Sequence, residues 1–154
     1  MDHARYLCLA CDEAETALRE GASPVGSVIV APDGTVLSRG RNRVFTEGDQ
    51  TAHAEVDAIR NAGAAIATPP AAGGWILYTT AEPCLMCLGA ILLCPITTIV
   101  WAAGSMTGSA YDAVLATGYR QERMRAITVI REPSRDLLAR SRALMAQFAA
   151  GAGR

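Results

Sequence analysis

Two short clusters in the chain combine residue types able to hold a metal ion and move a proton. His53-Ala54-Glu55 opens one segment of helical periodicity, and Pro83-Cys84-Leu85-Met86-Cys87 opens another, with residues 54 to 83 between His53 and Cys84. One imidazole and two thiolates are a donor set suited to zinc, and three protein donors leave the fourth tetrahedral position open, as in catalytic sites. Both clusters stand at predicted helix starts, where free backbone N–H groups and the positive end of the helix dipole favour thiolates. Glu55 is two residues from His53, so a regular helix would turn the two side chains about 200° apart. That placement suits Glu55 to carry protons beside the metal rather than to ligate it. Together the residues are machinery for hydrolysing an amidine-type C–NH2 bond.

Each piece has a plainer reading. An H-x-E triplet carries nothing alone, and a single C-x-x-C at a helix start is as often structural or redox-active as catalytic. Cys8 and Cys11 form a second C-x-x-C and admit a four-cysteine site. Both fall inside a predicted helix beside Leu7 and Leu9, which favours core packing, and Cys94 before Pro95 reads the same way. Asn42 is a turn or loop cap on its residue type alone. Arg39, Arg41 and Arg43 alternate, so a persisting strand puts them on one face opposite Asn42, as a phosphate contact or, preferably, a solvated sheet edge. Asp49 either caps the second helix or orients the loop before it. Trp75 and Trp101 stand at strand ends and read as core, while Tyr111, Tyr119 and Phe148 are candidates for closing a pocket.

Composition narrows the chemistry further. At 154 residues, 51% hydrophobic and 19% charged, the chain fits one globular domain over 1–154 and excludes disorder and small disulfide scaffolds. All fourteen basic residues are Arg, which removes lysine Schiff-base chemistry and the lysine-bearing phosphate loop. His3 lies at a terminus, so imidazole chemistry falls on His53. A net charge of −1 and a pI near 6.1 give no global attraction to nucleic acid or anionic membrane. Five cysteines cannot all pair, and Met1-Asp2-His3-Ala4-Arg5 leads into no apolar signal region, which points to a cytoplasmic protein with reduced thiols. The uncharged stretch Pro83 to Tyr111 contains a run, Leu85 to Gly104, long enough to span a bilayer. Pro95 and the β-branched residues after it divide that run into a buried helix and a buried strand, so no membrane contact is expected.

The elements that must position the clusters follow from periodicity and punctuation. A helix is predicted over Asp2–Glu20, a hairpin from Val25–Ala31 and Thr35–Asn42 around Pro32-Asp33-Gly34, and a loop over Val44–Gln50. A helix over Thr51–Ala62, a long loop through Pro69-Pro70 and Gly73-Gly74, a strand over Trp75–Thr80 and a helix over Cys84–Cys94 come next. Ile96–Ala102 is a strand, Gly104–Gly118 is polar with room for one short helix, Ala126–Arg131 is the last strand, and Ser134–Ala150 is a helix capped by Ser134. Residues 151–154 read as a loose tail. This order predicts an α/β fold, a three-layer α/β/α sandwich around a mixed sheet of about five strands that begins with an antiparallel hairpin and continues through helical crossovers.

In this setting the residues resemble the cytidine and deoxycytidylate deaminase superfamily, whose zinc deaminases carry H-x-E and P-C-x-x-C. The resemblance runs from about Pro24 to Gly108 through Pro24-Val25-Gly26, Asn42, Thr51-Ala52-His53-Ala54-Glu55 and Glu82-Pro83-Cys84-Leu85-Met86-Cys87-Leu88-Gly89-Ala90. It is most similar to the branch of bacterial guanine deaminases, yeast-type cytosine deaminases and tRNA adenosine deaminases. The resemblance implies a cytidine deaminase-like fold, one Zn2+ per chain held by His53, Cys84 and Cys87, and Glu55 as the proton shuttle. It also implies Asn42 as a substrate-contacting amide, the backbone at Ala54 and Ala81 as pocket lining, and a homodimer. The segment Ala102-Ala103-Gly104-Ser105-Met106-Thr107-Gly108 resembles the tRNA branch's A-R-D-x-K-T-G only at its edges. Leu88-Gly89-Ala90-Ile91 looks more like the guanine branch, whose acidic segment after the last core strand is not obvious here. The expected substrate is a nucleobase, nucleoside or related aminated heterocycle of guanine or cytosine type, with ammonia released. Wobble adenosine-to-inosine deamination of tRNA is the alternative, disfavoured because the slightly acidic chain offers only Arg135, Arg140 and Arg142 on its last helix. A non-enzymatic zinc-stabilised module is a third reading, and the free carboxylate of Glu55 argues against it.

Overall fold

The computed structural model of the chain describes residues 1–105 and 108–151. Helix α1 (His3–Arg19) begins where the Asp2 carboxylate accepts from the Arg5 N–H, satisfying one of the free first-turn donors. Tyr6, Leu7, Ala10, Cys11, Ala14 and Ala17 form its buried stripe. Strands β1 (Gly26–Val30) and β2 (Val36–Arg41) pair as the expected hairpin, and Asp33 accepts from the Thr35 N–H inside the turn. Then come α2 (Val44–Glu47), α3 (Ala54–Ala62), a 3-10 turn (Gly63–Ala67), β3 (Trp75–Ala81) and α4 (Leu85–Leu92). The chain continues through β4 (Ile96–Ala103), α5 (Ala110–Thr117), α6 (Gln121–Arg125), β5 (Thr128–Arg131) and α7 (Arg135–Gly151).

The five strands lie in the order β2-β1-β3-β4-β5. β1 runs antiparallel to both neighbours, with Val28 opposite Tyr78, whereas β3, β4 and β5 are parallel, with Leu77 beside Ile99 and Ile99 beside Val129. Alternate side chains feed two cores, as the period of two in a strand demands. Val28, Val30, Tyr78, Val100 and Ala102 meet α1 on one face, where Leu137 of α7 also packs. Ile29, Leu77, Ile99 and Trp101 meet Ala58 of α3, Leu88 and Ile91 of α4, Tyr111 of α5 and Met124 of α6 on the other. The result is the expected three-layer α/β/α sandwich around a mixed five-stranded sheet.

Several boundaries differ from expectation for local reasons. The loop expected over Val44–Gln50 contains α2, a single turn too short to show periodicity. The polar segment Gly104–Gly118 contains α5, capped by Ser109, whose Oγ accepts from the Asp112 N–H. The short α6 was not foreseen, because it buries only Met124 and so leaves no apolar pattern. Helix α3 starts at Ala54 rather than Thr51, since Asp49 accepts from both the N–H and the hydroxyl of Thr51 and holds that residue in a turn. Cys11 is in the core, and burial pushes its thiol up to about 11. Cys8, expected there too, is exposed beside Arg140 because it sits off the buried stripe. Gly151, read as tail, ends α7, and 152–154 lie outside the described residues. The uncharged run divides into α4 and β4 as expected, and no helix among the described residues is long and apolar enough to cross a membrane.

Docking of α3 on the hairpin sets the position of the first cluster. A Cβ on Gly40 would lie 2.2 Å from the Ala58 N and 2.6 Å from the Ala54 O, so glycine alone permits this approach. Around it the Ser38 hydroxyl donates to the Ala58 carbonyl at 2.8 Å and Asn61 Nδ2 donates to the Arg39 carbonyl at 2.8 Å. The Arg41 N–H donates to Asp57 Oδ2 at 2.9 Å, so α3 also covers the exposed edge of β2. Gly40→Ala should therefore cost about 1–3 kcal/mol through overpacking. By contrast Gly89→Ala, in α4 with open space around it, should be neutral or stabilise by about 1 kcal/mol. Urea unfolding of both variants measures the difference, and equal stabilities would contradict the packing argument.

Candidate active site

The site forms beyond the carboxyl ends of β2 and β3, where the chain turns into α3 and α4. His53 and Cys84 are the N-cap residues of these helices, each with extended backbone (ψ 157° and 174°) and neither using its side chain to close a cap. An N-cap side chain ordinarily accepts a first-turn N–H; these two face each other instead. His53 Nδ1 lies 3.6 Å from Cys84 Sγ and 3.7 Å from Cys87 Sγ, and the two sulfurs are 3.6 Å apart. A tetrahedral zinc with Zn–S near 2.3 Å and Zn–N near 2.0–2.1 Å needs donor separations of roughly 3.5–3.8 Å. The three atoms are thus spaced for zinc, and among the described residues they form the one cluster of this kind.

The sulfurs are electrostatically unequal. The Cys84 thiol is pulled down to about 5, first by its hydrogen bond with Cys87, opposed by burial and aided by the N–H groups of Cys87 and Met86 and by His53. Cys87 is pushed up by the same hydrogen bond, by burial and by the charge of Glu55. The thiolate is the form that binds a metal, so the lowered Cys84 thiol is the readier of the two ligands.

Glu55 is 3% exposed, and burial raises its carboxyl above the usual carboxylate range. Its Oε2 lies 3.3 Å from Cys87 Sγ, and its Oε1 accepts from the Thr79 hydroxyl at 3.2 Å. The 200° separation from His53 does not apply, because His53 precedes the helix; both side chains approach the same sulfur. Glu55 nevertheless stays out of the donor cluster. Thr79, buried at the end of β3, had no signal in the sequence beyond its place in a strand.

A cavity of about 320 Å3 opens onto these groups, at the small end of ligand pockets. His53, Glu55 and Cys84 line it together with Asn42, Ala54 and Ala81. Asn42 is buried, and its Oδ1 accepts from the Val44 N–H at 3.2 Å, which leaves the Nδ2 end as the donor available to a ligand. Phe45 and Glu82 also line the cavity and were missed by the sequence reading. The Glu82 carboxylate accepts from the Ser105 N–H, the Ser109 hydroxyl and the Tyr111 N–H at 3.3, 2.6 and 3.2 Å, tying the segment before α5 to the turn that carries Cys84. Only its place before Pro83 could have drawn attention to it.

The remaining candidates are placed elsewhere. Arg41 meets Glu20 through two 2.8 Å hydrogen bonds, Arg39 approaches Glu13 at 4.0 Å, and Arg43 meets Asp57 and Glu47 at 3.2 and 3.4 Å. Arg43 lies past the strand end and leaves the shared face, and none of the three lines the cavity. Asp49 orients the loop before α3 and pairs with Arg60 at 3.1 Å. Trp75 and Trp101 are core, as expected. Tyr111 is core as well, donating to the Met124 carbonyl, and Tyr119 is exposed. Phe148 packs on Phe45, with ring centroids 6.4 Å apart. Of the segment 102–108, Met106 and Thr107 lie outside the described residues.

Comparison with known proteins matches residues 1–103 to the cytidine and deoxycytidylate deaminase zinc-binding region. Guanine deaminase of Bacillus subtilis is 43% identical over 59% of this chain and 58% of its own length. Cytosine deaminase of Candida albicans is 38% identical over 60% of each. The chain spans only 15% to 58% of the first curated relatives it matches. A chain solved in a study of A-to-I editing by tRNA:A34 deaminases superposes with a TM-score of 0.75 at 30% identity, covering 92% of this chain and 99% of that one. The site makes a direct prediction. Metal analysis of the purified Cys84→Ala/Cys87→Ala double variant should find most of the zinc gone, and full occupancy there would refute the donor assignment.

Proposed function

We propose, for a chain that belongs to the cytidine and deoxycytidylate deaminase zinc-binding family, that it hydrolytically removes the amino group of a nucleobase, nucleoside or related aminated heterocycle of guanine or cytosine type. The observation that carries this reading is a buried carboxylate beside a zinc-spaced donor triad in a small cavity that, among the described residues, no arginine lines. A neutral, planar substrate suits such a cavity; a phosphate would find no guanidinium among the described residues of its wall.

His53, Cys84 and Cys87 would hold zinc, which would supply Lewis-acid activation of water. Glu55 then has two tasks in sequence. Its carboxylate takes a proton from the attacking water and returns one to the departing amino nitrogen, so that water is added and ammonia leaves. Burial, which raises the pKa of Glu55, suits a group that must hold that proton between the two transfers. The Thr79 hydroxyl fixes Oε1 and leaves Oε2 toward the reacting atoms. Asn42 Nδ2 donates to the substrate ring, and the backbone at Ala54 and Ala81 walls it in.

The reading includes a single deaminase domain over 1–154, one zinc per chain and a cytoplasmic homodimer. Five free cysteines suit a reducing compartment. Leu85 at the start of helix α4 and Leu93 just past its end are exposed at 61% and 77%, apolar surface suited to a second copy. Wobble-adenosine deamination of tRNA is the second reading, favoured by the likeness to the chain from the A34 deaminase study.

An ammonia-release screen over cytosine, guanine, adenine, their nucleosides, triazines and tRNA separates these readings. Release from a base or nucleoside supports the first, and release from tRNA alone overturns it in favour of the second. With the substrate so found, Glu55→Ala and Glu55→Gln should retain zinc and bind substrate but lose at least about 10² to 10⁴ in single-turnover rate. Loss of zinc with activity would make Glu55 a ligand, and near-normal turnover would assign the proton transfers to another group.

A further inference from the structure

Phe45 combines two properties that seldom meet in one residue. It lines the catalytic cavity, yet it is 67% exposed, so a large apolar ring stands in water at the cavity mouth. Neither the hydrophobic core nor any strand needs it, because Val44 beside it is the buried residue of α2. Its ring partner is Phe148, at an interplanar angle of 34°.

Phe148 reaches the mouth because of how α7 is fixed. Ser141 is 2% exposed and donates to the Thr80 carbonyl at 2.9 Å, next to the cavity-wall residue Ala81. Leu144 is buried three positions on, and Phe148 follows at the seventh, so all three share one face of the helix. A face anchored at the end of β3 therefore runs past the cavity and ends on Phe45. The reacting carbon of a substrate must lie at the floor, near His53 and Cys84. Phe45, with Phe148 packed on it, is the large apolar ring of the same cavity's lining.

We propose that Phe45 and Phe148 form an aromatic rim that selects a free planar base over its ribosylated form. Phe45 stacks on the bound heterocycle as a specificity-determining residue. Phe148 is a positioning residue that holds the Phe45 ring and obstructs the path a ribose would take. Aromatic faces suit this task because every base offers a π-face, whatever its pattern of donors and acceptors. The proposal rests on the deaminase reading for its choice of ligand, and it narrows that reading to free bases.

The test measures direct binding by calorimetry alongside ammonia release, using zinc-loaded protein and the pairs guanine with guanosine and cytosine with cytidine. In the unsubstituted protein one base of these pairs should bind about tenfold or more tighter than its nucleoside. Phe45→Ala should weaken base binding about tenfold and raise KM far more than it lowers kcat, and Phe45→Tyr should restore both, because the lost interaction is a stacked ring. Phe148→Ala should raise the nucleoside-to-base ratio of kcat/KM and of affinity about tenfold, with Phe148→Tyr reversing the change. Circular dichroism and zinc content confirm that each variant is folded and loaded. Base and nucleoside binding alike, no binding of any of the four, or ratios unmoved by either alanine variant would overturn the rim. Tight base binding without ammonia release would overturn the deaminase reading and leave the rim standing, so the two failures are distinct.

Discussion

The closeness of one helix to one strand governs the rest of this molecule. With only hydrogen at Gly40, the backbone of α3 descends onto β2 at Ala54 and Ala58, and three hydrogen bonds from or to the strand lock it there. Glu55 lies in the first turn of that helix and His53 immediately before it. Cys84 and Cys87 arrive independently on α4, after β3. Donor atoms that must converge to a few tenths of an ångström are therefore set by two separate helix-on-sheet dockings. Two cap residues that decline to cap complete the arrangement, since each gives up a local hydrogen bond to face the common centre.

Charge is distributed so that, among the described residues, no guanidinium lines the cavity. Every basic side chain is a guanidinium, and those nearest the site are engaged elsewhere: Arg41 by Glu20 and Glu13, Arg43 by Asp57 and Glu47. A forked guanidinium fits a carboxylate with two hydrogen bonds, as Arg41 shows, and so is less available to a passing anion than a lysine ammonium would be. What remains in the cavity wall, among the described residues, is a serine, an amide, two carboxylates, an imidazole, a thiol and apolar surface. The carboxylates themselves differ: Glu55 meets Cys87 and Thr79, while Glu82 uses its oxygens on Ser109 and Tyr111 at the start of α5.

The architecture and the donor set were legible in the sequence because both are written locally. The apolar run of β1, the β-branched residues of β4, the periodicity of α1 and the fixed spacing of Cys84 and Cys87 need only a few neighbouring residues to be recognised. What escaped depends on contacts between distant segments. Thr79 matters through Glu55, and Glu82 through Ser105, Ser109 and Tyr111. Phe45 sits in a single-turn helix with no pattern of its own, and its ring meets one from α7. Cys8 and Cys11 illustrate the same limit, since a three-residue step along α1 separates the solvent from the core. Asn42 was identified by resemblance, and its geometry supplies the physical reason: a backbone N–H occupies its carbonyl and thereby fixes which end of the amide faces inward.

Helix α7 works as a clasp between distant parts of the chain. Arg140 joins Glu15 across 125 positions, and Ser141 joins Thr80 across 61. All five strands precede α7 and pair without it, whereas the Thr80 carbonyl and Glu15 of α1 depend on it for their partners. The donor triad stands on α3, α4 and the turns before them, so it belongs to the part of the molecule that α7 fastens rather than builds.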